Sequence, residues 1–254
     1  MSLLVDHECR VLRLTLNRPH KRNALNAEMC SKIVEAIAAA QKNQNVGSIL
    51  ISSAGQAFCA GMDLDEAVRP AGADLAEVHE TLFTAGANSL KPIVLCVNGP
   101  ALGGGLGLVA QGHAVIAAES AVFGLTELRL GLWPFLVYRA VEAALGARRT
   151  LELSLTARVF TPHDALQWGL VHYVFPQEEA SPRAAAIARD LGKASPLAIE
   201  AGMRYVRGSR GKSWEEAGEL AAALRHKLMN SADFKEGCTA FKEKREPRWP
   251  SLYS

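Results

Sequence analysis

What this sequence is short of narrows it quickly. Its five cysteines, Cys9, Cys30, Cys59, Cys96 and Cys238, are scattered, odd in number and include no C-x-x-C pair. No disulfide framework is expected, and the five read as reduced core thiols of a cytoplasmic protein. No histidine stands at ligand spacing from another His or Cys, so no metal site is expected. A net charge of +2 gives no case for nucleic acid or a membrane surface. The richest apolar stretch, 101–118, is interrupted by glycines, Gln111 and His113, which makes a poor spanning helix. Asp6, His7 and Glu8 break the N-terminal segment before a signal-like run develops. With 49% hydrophobic and 21% charged residues over 254 positions, the chain is long enough to build a full core without staples.

What is present is concentrated in the run Val94 to Gly107, VLCVNGPALGGGLG. The β-branched stretch Ile93 to Val97 predicts a strand, stopped by the turn residues Asn98-Gly99-Pro100. Gly103, Gly104 and Gly105 follow, then an apolar segment that can open a helix. The first N–H groups of a helix have no partner inside it, and bare glycine backbone lets another molecule approach closely. Such an element suits an anion, fixed or developing in a reaction. Gly105-Leu-Gly107-Leu-Val-Ala110 also satisfies a dinucleotide pattern, with Glu127 downstream. In those folds, however, the first glycine follows the strand almost at once, whereas residues 98–102 intervene here. A glycine turn used only for close packing is the bland alternative.

The remaining chain alternates strand and helix signals. Strands are predicted at Val11 to Leu16, Val46 to Ser52, Ala114 to Ala118 and Val171 to Phe175. Asn26 is a helix N-cap, followed by Met29, Ile33, Ile37 and Ala40 at helical spacing to about Gln41. Leu75, Val78, Leu82 and Phe83 predict a helix ending before Lys91-Pro92. Phe123 to Glu127 reads as a loop, and Thr161-Pro162 starts a short helix that stops at Gly169. Past Ser195-Pro196 all signals are helical. Ser213 and Glu216 form a capping box, with Trp214, Ala217, Leu220, Leu224 and Leu228 on one face. The pattern argues a layered α/β core over 1–195 and a C-terminal helical region over 196–254.

Five stretches in order, Asn17-Arg-Pro through Arg22-Asn-Ala-Leu-Asn26, Ala57-Phe-Cys-Ala-Gly-Met-Asp-Leu64, Asn98 to Gly105, Ala165 to Val171 and Glu236 to Lys244, resemble the crotonase family of enoyl-CoA hydratases and isomerases. The resemblance implies a spiral of ββα units with a helical C-terminal region. It also implies homotrimers or dimers of trimers, a CoA thioester as substrate and no cofactor. By family position, the backbone N–H groups of Met62 and Gly104 form an oxyanion hole, with Ala60, Gly61, Asp63, Leu64 and Gly103 around the substrate. Lys21, Arg22 and Ala24 match the loop that meets the adenosine-phosphate end of CoA, where cations suit phosphate. Phe241 and Lys244 match a segment that in relatives can approach the CoA of a neighbouring subunit.

One departure bears on mechanism. Family hydratases carry two glutamates that hold and activate water; the position of the first is Gly107 here, while Glu127 matches the second. Losing one positioned acid or base typically removes ~10²–10⁴-fold in rate, whereas moving a double bond needs one base. Isomerase-like members keep only the second glutamate, and some share a Pro-Phe pair such as Pro134-Phe135. The expectation is therefore a 3-enoyl-CoA to 2-enoyl-CoA isomerase. The rivals are a hydratase in which Asp65, Glu66 or ordered water replaces the missing acid, and a non-catalytic acyl-CoA-binding subunit. Asp65 and Glu66 also read as helix-start residues. His113, where relatives usually have Asp, is expected to be buried and hydrogen-bonded. Trp133 is expected either to narrow the acyl pocket or simply to pack.

Overall fold

The computed structural model describes residues 1–68 and 73–253, the side chains of 73–76 excepted; the expected placement of Leu75 lies outside that set. Nine strands are found among the described residues: β1 Leu3–Glu8, β2 Val11–Leu16, β3 Ser48–Ser53, β4 Ile93–Val97, β5 Ala101–Leu102, β6 Ala114–Ala118, β7 Phe123–Gly124, β8 Val159–Phe160 and β9 Tyr173–Phe175. The helices are α1 Ala27–Lys42, α2 Leu64–Ala67, α3 Ala73–Asn88, α4 Gly104–Val109, α5 Phe135–Leu145, α6 Ala147–Thr156, α7 Pro162–Gln167, α8 Gln177–Gly192, α9 Pro196–Gly208, α10 Trp214–Met229 and α11 Ala232–Glu243.

Six strands form one sheet in the order β1-β2-β3-β4-β6-β9, parallel except for the β1/β2 hairpin. Its inner strands are apolar on both faces because both are covered. Ile93, Leu95 and Val97 of β4 enter the main core, while Val94 and Cys96 face Ala180, Ala184 and Ala188 of α8. That alanine stripe at four-residue spacing brings α8 close to the sheet.

A second sheet, β5-β7-β8, is built from two-residue strands and positions the site. The chain repeatedly makes a long strand in the large sheet, a short extended segment beside the small one, and then helix or turn. Cys59 bridges Ala101 in parallel, and Ala101 pairs with Phe123 in parallel. Three crossovers far apart in sequence are thereby stacked side by side.

Local signals explain the boundaries. The Asn26 side chain caps α1 by accepting from Met29 N at 3.1 Å. Capping boxes start α7 at Thr161 and α10 at Ser213, and Asp65 and Glu66 sit in the first turn of α2. Other expectations are corrected. Phe123-Gly124 is strand, because β5 and β8 flank it. Cys30, Cys59 and Cys96 are buried, but Cys9 and Cys238 are exposed: Cys9 occupies the β1–β2 turn at φ 54°, and Cys238 lies on the outer side of α11. The face of α10 is not a core face. Ala217, Leu220, Leu224 and Leu228 are half-buried, and Trp214 is 96% exposed. His113 is exposed as well, although both ring nitrogens are held, Nδ1 by Ile93 N at 2.9 Å and Nε2 by Gly86 O at 3.1 Å.

Candidate active site

The stacked crossovers converge on a cavity of about 480 Å³. Met62 stands three positions after Cys59, Gly104 three after Ala101, and Glu127 four after Phe123, so the register Cys59–Ala101–Phe123 carries all three to one place. Every residue expected at the site lines this cavity: Lys21, Arg22 and Ala24; Ala60 to Leu64; Gly103, Gly104 and Glu127.

Glycine is required where these crossovers touch. Gly61 has φ +94°, and a methyl there would stand 2.9 Å from Leu102 O and 3.4 Å from Gly104 N. Gly103, the N-cap of α4, has φ +52°, and a methyl on it would stand 3.0 Å from Glu127 Oε1. Among the described residues, the N–H groups of Met62 and Gly104 donate to no other group, whereas their neighbours Leu25, Asp63, Leu102 and Gly103 all donate to carbonyls. Two adjacent backbone donors are thus left open beside Glu127, the arrangement an oxyanion needs. The helix behind Gly104 is only six residues long, so the donors themselves, more than an extended dipole, supply this polarity.

Glu127 begins a 3-10 turn after β7, with Oε2 buried and without a partner. Burial raises its pKa above the ordinary carboxylate range, only partly offset by the backbone N–H groups of Glu127 and Thr126, as fits a base in an apolar wall. The other carboxylates lining the cavity are engaged. Asp63 accepts from Arg18 Nη2 at 2.7 Å and caps α2; burial opposes its ionisation, but Arg18 and the backbone N–H groups of Asp65 and Glu66 outweigh that and hold its pKa low. Asp65 is paired with Lys21. Glu66 is not among the residues lining the cavity; it accepts from Ala27 N at 2.8 Å, so its carboxylate serves the start of α1.

Gly107 leaves no vacancy where a second carboxylate could stand. A methyl there would meet Val137 Cγ1 at 2.4 Å and Phe83 Cδ1 at 3.1 Å, so α5 and α3 fill the position. Trp133 both lines the cavity and stacks on Tyr138, with ring centroids 6.2 Å apart. The 20–24 loop is shaped by Asn23, wholly buried, which donates to Ala54 O and Ala57 O at 2.8 Å. Ala24 O is taken by Arg18 Nη1 at 2.6 Å, while the exposed Lys21 and Arg22 remain at the mouth. Burial pushes the Cys59 thiol up to about 12, so it is no nucleophile.

Sequence reasoning missed His79 on α3. It lines the same cavity, is 8% exposed, and its Nε2 is buried with no partner among the described residues. Burial lowers its pKa, with Glu66 opposing, which keeps the ring neutral. Its helical spacing to Leu82 and Phe83 was the available signal, and that spacing by itself denotes only a core-facing position.

The profile of the enoyl-CoA hydratase/isomerase family matches residues 6–251. A probable mitochondrial enoyl-CoA hydratase of Dictyostelium discoideum is 35% identical over 248 residues, covering 94% of this chain and 87% of the relative. The 1,2-epoxyphenylacetyl-CoA isomerase of Escherichia coli K12 is 30% identical over 262 residues, covering 98% of each. The solved enoyl-CoA hydratase of Mycobacterium smegmatis superposes with a TM-score of 0.92 at 27% identity, over 98% of this chain and 99% of that one. The chain belongs to the enoyl-CoA hydratase/isomerase, or crotonase, family, whose enzymes act on CoA thioesters. Its relatives carry both reaction names, so membership alone leaves the reaction open.

Proposed function

We propose that this enzyme shifts the double bond of a 3-enoyl-CoA to give the 2-enoyl-CoA, with Glu127 as the single base. The thioester oxygen accepts from the Met62 and Gly104 N–H groups. Glu127 removes a proton from C2, the resulting enolate is held by those donors, and the protonated carboxyl returns the proton to C4 as the double bond moves from C3–C4 to C2–C3. One such backbone donor is worth roughly 3 kcal/mol in the transition state. Lys21 and Arg22 meet the adenosine-phosphate end of CoA, for which Lys21 exchanges Asp65 for phosphate.

The observation that carries this reading is the filled space at Gly107, together with Glu127 being the one cavity-lining carboxylate among the described residues that is not ion-paired. Hydration by Asp65 or Glu66 would first require each to abandon its present partner. The test is incubation with 3-hexenoyl-CoA and, separately, 2-hexenoyl-CoA in deuterated water, followed by mass spectrometry. Conversion of the first without addition of water to the second supports the isomerase, and accumulation of 3-hydroxyhexanoyl-CoA overturns it.

Trimers or dimers of trimers belong to the same proposal, supported by the exposure of Trp214 at 96% and Phe241 at 86% on the C-terminal helices. Cytoplasmic residence is also proposed, supported by five unpaired cysteines.

A further inference from the structure

Two titratable groups in the cavity wall combine a buried polar atom with the lack of any partner among the described residues, Glu127 Oε2 and His79 Nε2. The proposed isomerisation uses the first and leaves the second idle. A buried imidazole nitrogen without a hydrogen bond costs free energy; the ring neighbour of His79 among the described residues is Phe83, 6.1 Å away centroid to centroid, in a cavity also lined by Leu25, Trp133 and Val137. An unbranched hydrocarbon acyl chain would leave Nε2 as it is.

We propose that His79 is a specificity residue that recognises a hydroxyl group on the acyl chain, so that the preferred substrates are hydroxylated acyl-CoA thioesters rather than plain alkenyl ones. A neutral imidazole Nε2 either donates or accepts, according to tautomer. A hydroxyl does both, so it satisfies Nε2 in either form. A site built around such a bond discriminates against the analogue lacking the hydroxyl, because the protein group is then left unpaired. This inference deepens the isomerase reading by naming its substrate class and takes from that reading only the assignment of this cavity to the acyl chain.

The test is calorimetric titration of the full-length protein with hexanoyl-CoA and with 4-, 5- and 6-hydroxyhexanoyl-CoA, saturated ligands that cannot isomerise. At least one hydroxylated ligand should bind about tenfold more tightly than hexanoyl-CoA, the worth of one buried hydrogen bond. The variant His79→Phe should lose the preference, its affinity for the hydroxylated ligands no longer exceeding that for hexanoyl-CoA, and His79→Gln should keep part of it. Thermal melting of His79→Phe at or above the wild-type temperature shows that the fold is intact. Equal affinity of the wild type for all four ligands overturns the proposal, as does a preference that survives His79→Phe. Turnover of 3-hexenoyl-CoA is followed separately: its absence alongside a hydroxyl preference removes the isomerase and leaves the recognition role, and the reverse outcome does the opposite.

Discussion

As the proposed base, Glu127 combines two demands that pull in opposite directions, since a base must be ionised and a carboxylate in an apolar wall resists ionisation. Its pKa lies above the ordinary 4.5 because of burial, so the acid limb of kcat/KM should be displaced above that value, with activity rising as pH rises through it. Glu127→Gln should lower isomerase turnover by at least about 10²-fold, and retention of full turnover in stopped assays would exclude it as the base. Stability should move the other way. With the folded-state pKa raised, the contribution of the protonated side chain is complete below the unfolded value and is lost as pH rises through the folded one. Glu127→Gln should therefore melt above the wild type near about pH 7, with the gap closing near about pH 4. Gly103 lies against the same carboxylate, with no room for a Cβ between them. Gly103→Ala forces φ +52° on a residue with a Cβ and sets that Cβ 3.0 Å from Oε1. It should cost about 1–2 kcal/mol and reduce kcat by displacing the base. Melting and steady-state kinetics on one preparation check both.

At the scale of elements, the stacked crossovers do what no single helix or strand does. Each contributes one group, a Met62 N–H, a Gly104 N–H or a carboxylate, and the pairings Cys59–Ala101–Phe123 fix their order. The helices behind them decide how many carboxylates the site can hold. With Val137 of α5 against α4 at Gly107, Gly107→Ala should destabilise by about 1–3 kcal/mol through overpacking. In a Val137→Ala background the same change should cost less than about 1 kcal/mol. Urea denaturation of the four proteins, read as a double-mutant cycle, checks the coupling, and strict additivity would mean that the two positions do not compete for the same space.

For the whole molecule, the C-terminal helices are tied to one another and to the body by a few polar contacts. Asp233 accepts from Ser195 Oγ at 2.5 Å and from Ser251 Oγ at 2.8 Å, and Trp249 Nε1 donates to Lys193 O at 2.6 Å. Beyond these ties, α10 has no buried residue, and large side chains such as Trp214 and Phe241 face outward, a surface more typical of an assembly than of a monomer. Sedimentation velocity should give a species of three or six 27.3 kDa chains, and a lone 27.3 kDa boundary would overturn the assembly. A chain truncated after Met229 should lose CoA affinity if Phe241 and Lys244 reach a neighbour's ligand, and unchanged affinity would remove that role.

The sequence by itself determined the alternation of strands and helices, most helix starts, and the three stretches that meet at the site. Those features rest on short-range chemistry: β-branched runs, Asn26, Thr161 and Ser213 as caps, and glycines at turns. It also showed the absence of a carboxylate at 107. Only the tertiary structure decided that β1 pairs as an edge strand, since Leu4 and Val5 are exposed there and pattern gives no cue. It also decided that α8 covers the sheet through an alanine stripe, that Phe123-Gly124 is strand, and that α10 presents a half-open face. The same holds at the site. Which carboxylates are already paired, what fills the space beside Gly107, and whether the nitrogen of His79 finds a partner are properties of neighbours brought together from distant parts of the chain. No local pattern encodes them, because burial and hydrogen-bond satisfaction are defined only once the crossovers have stacked.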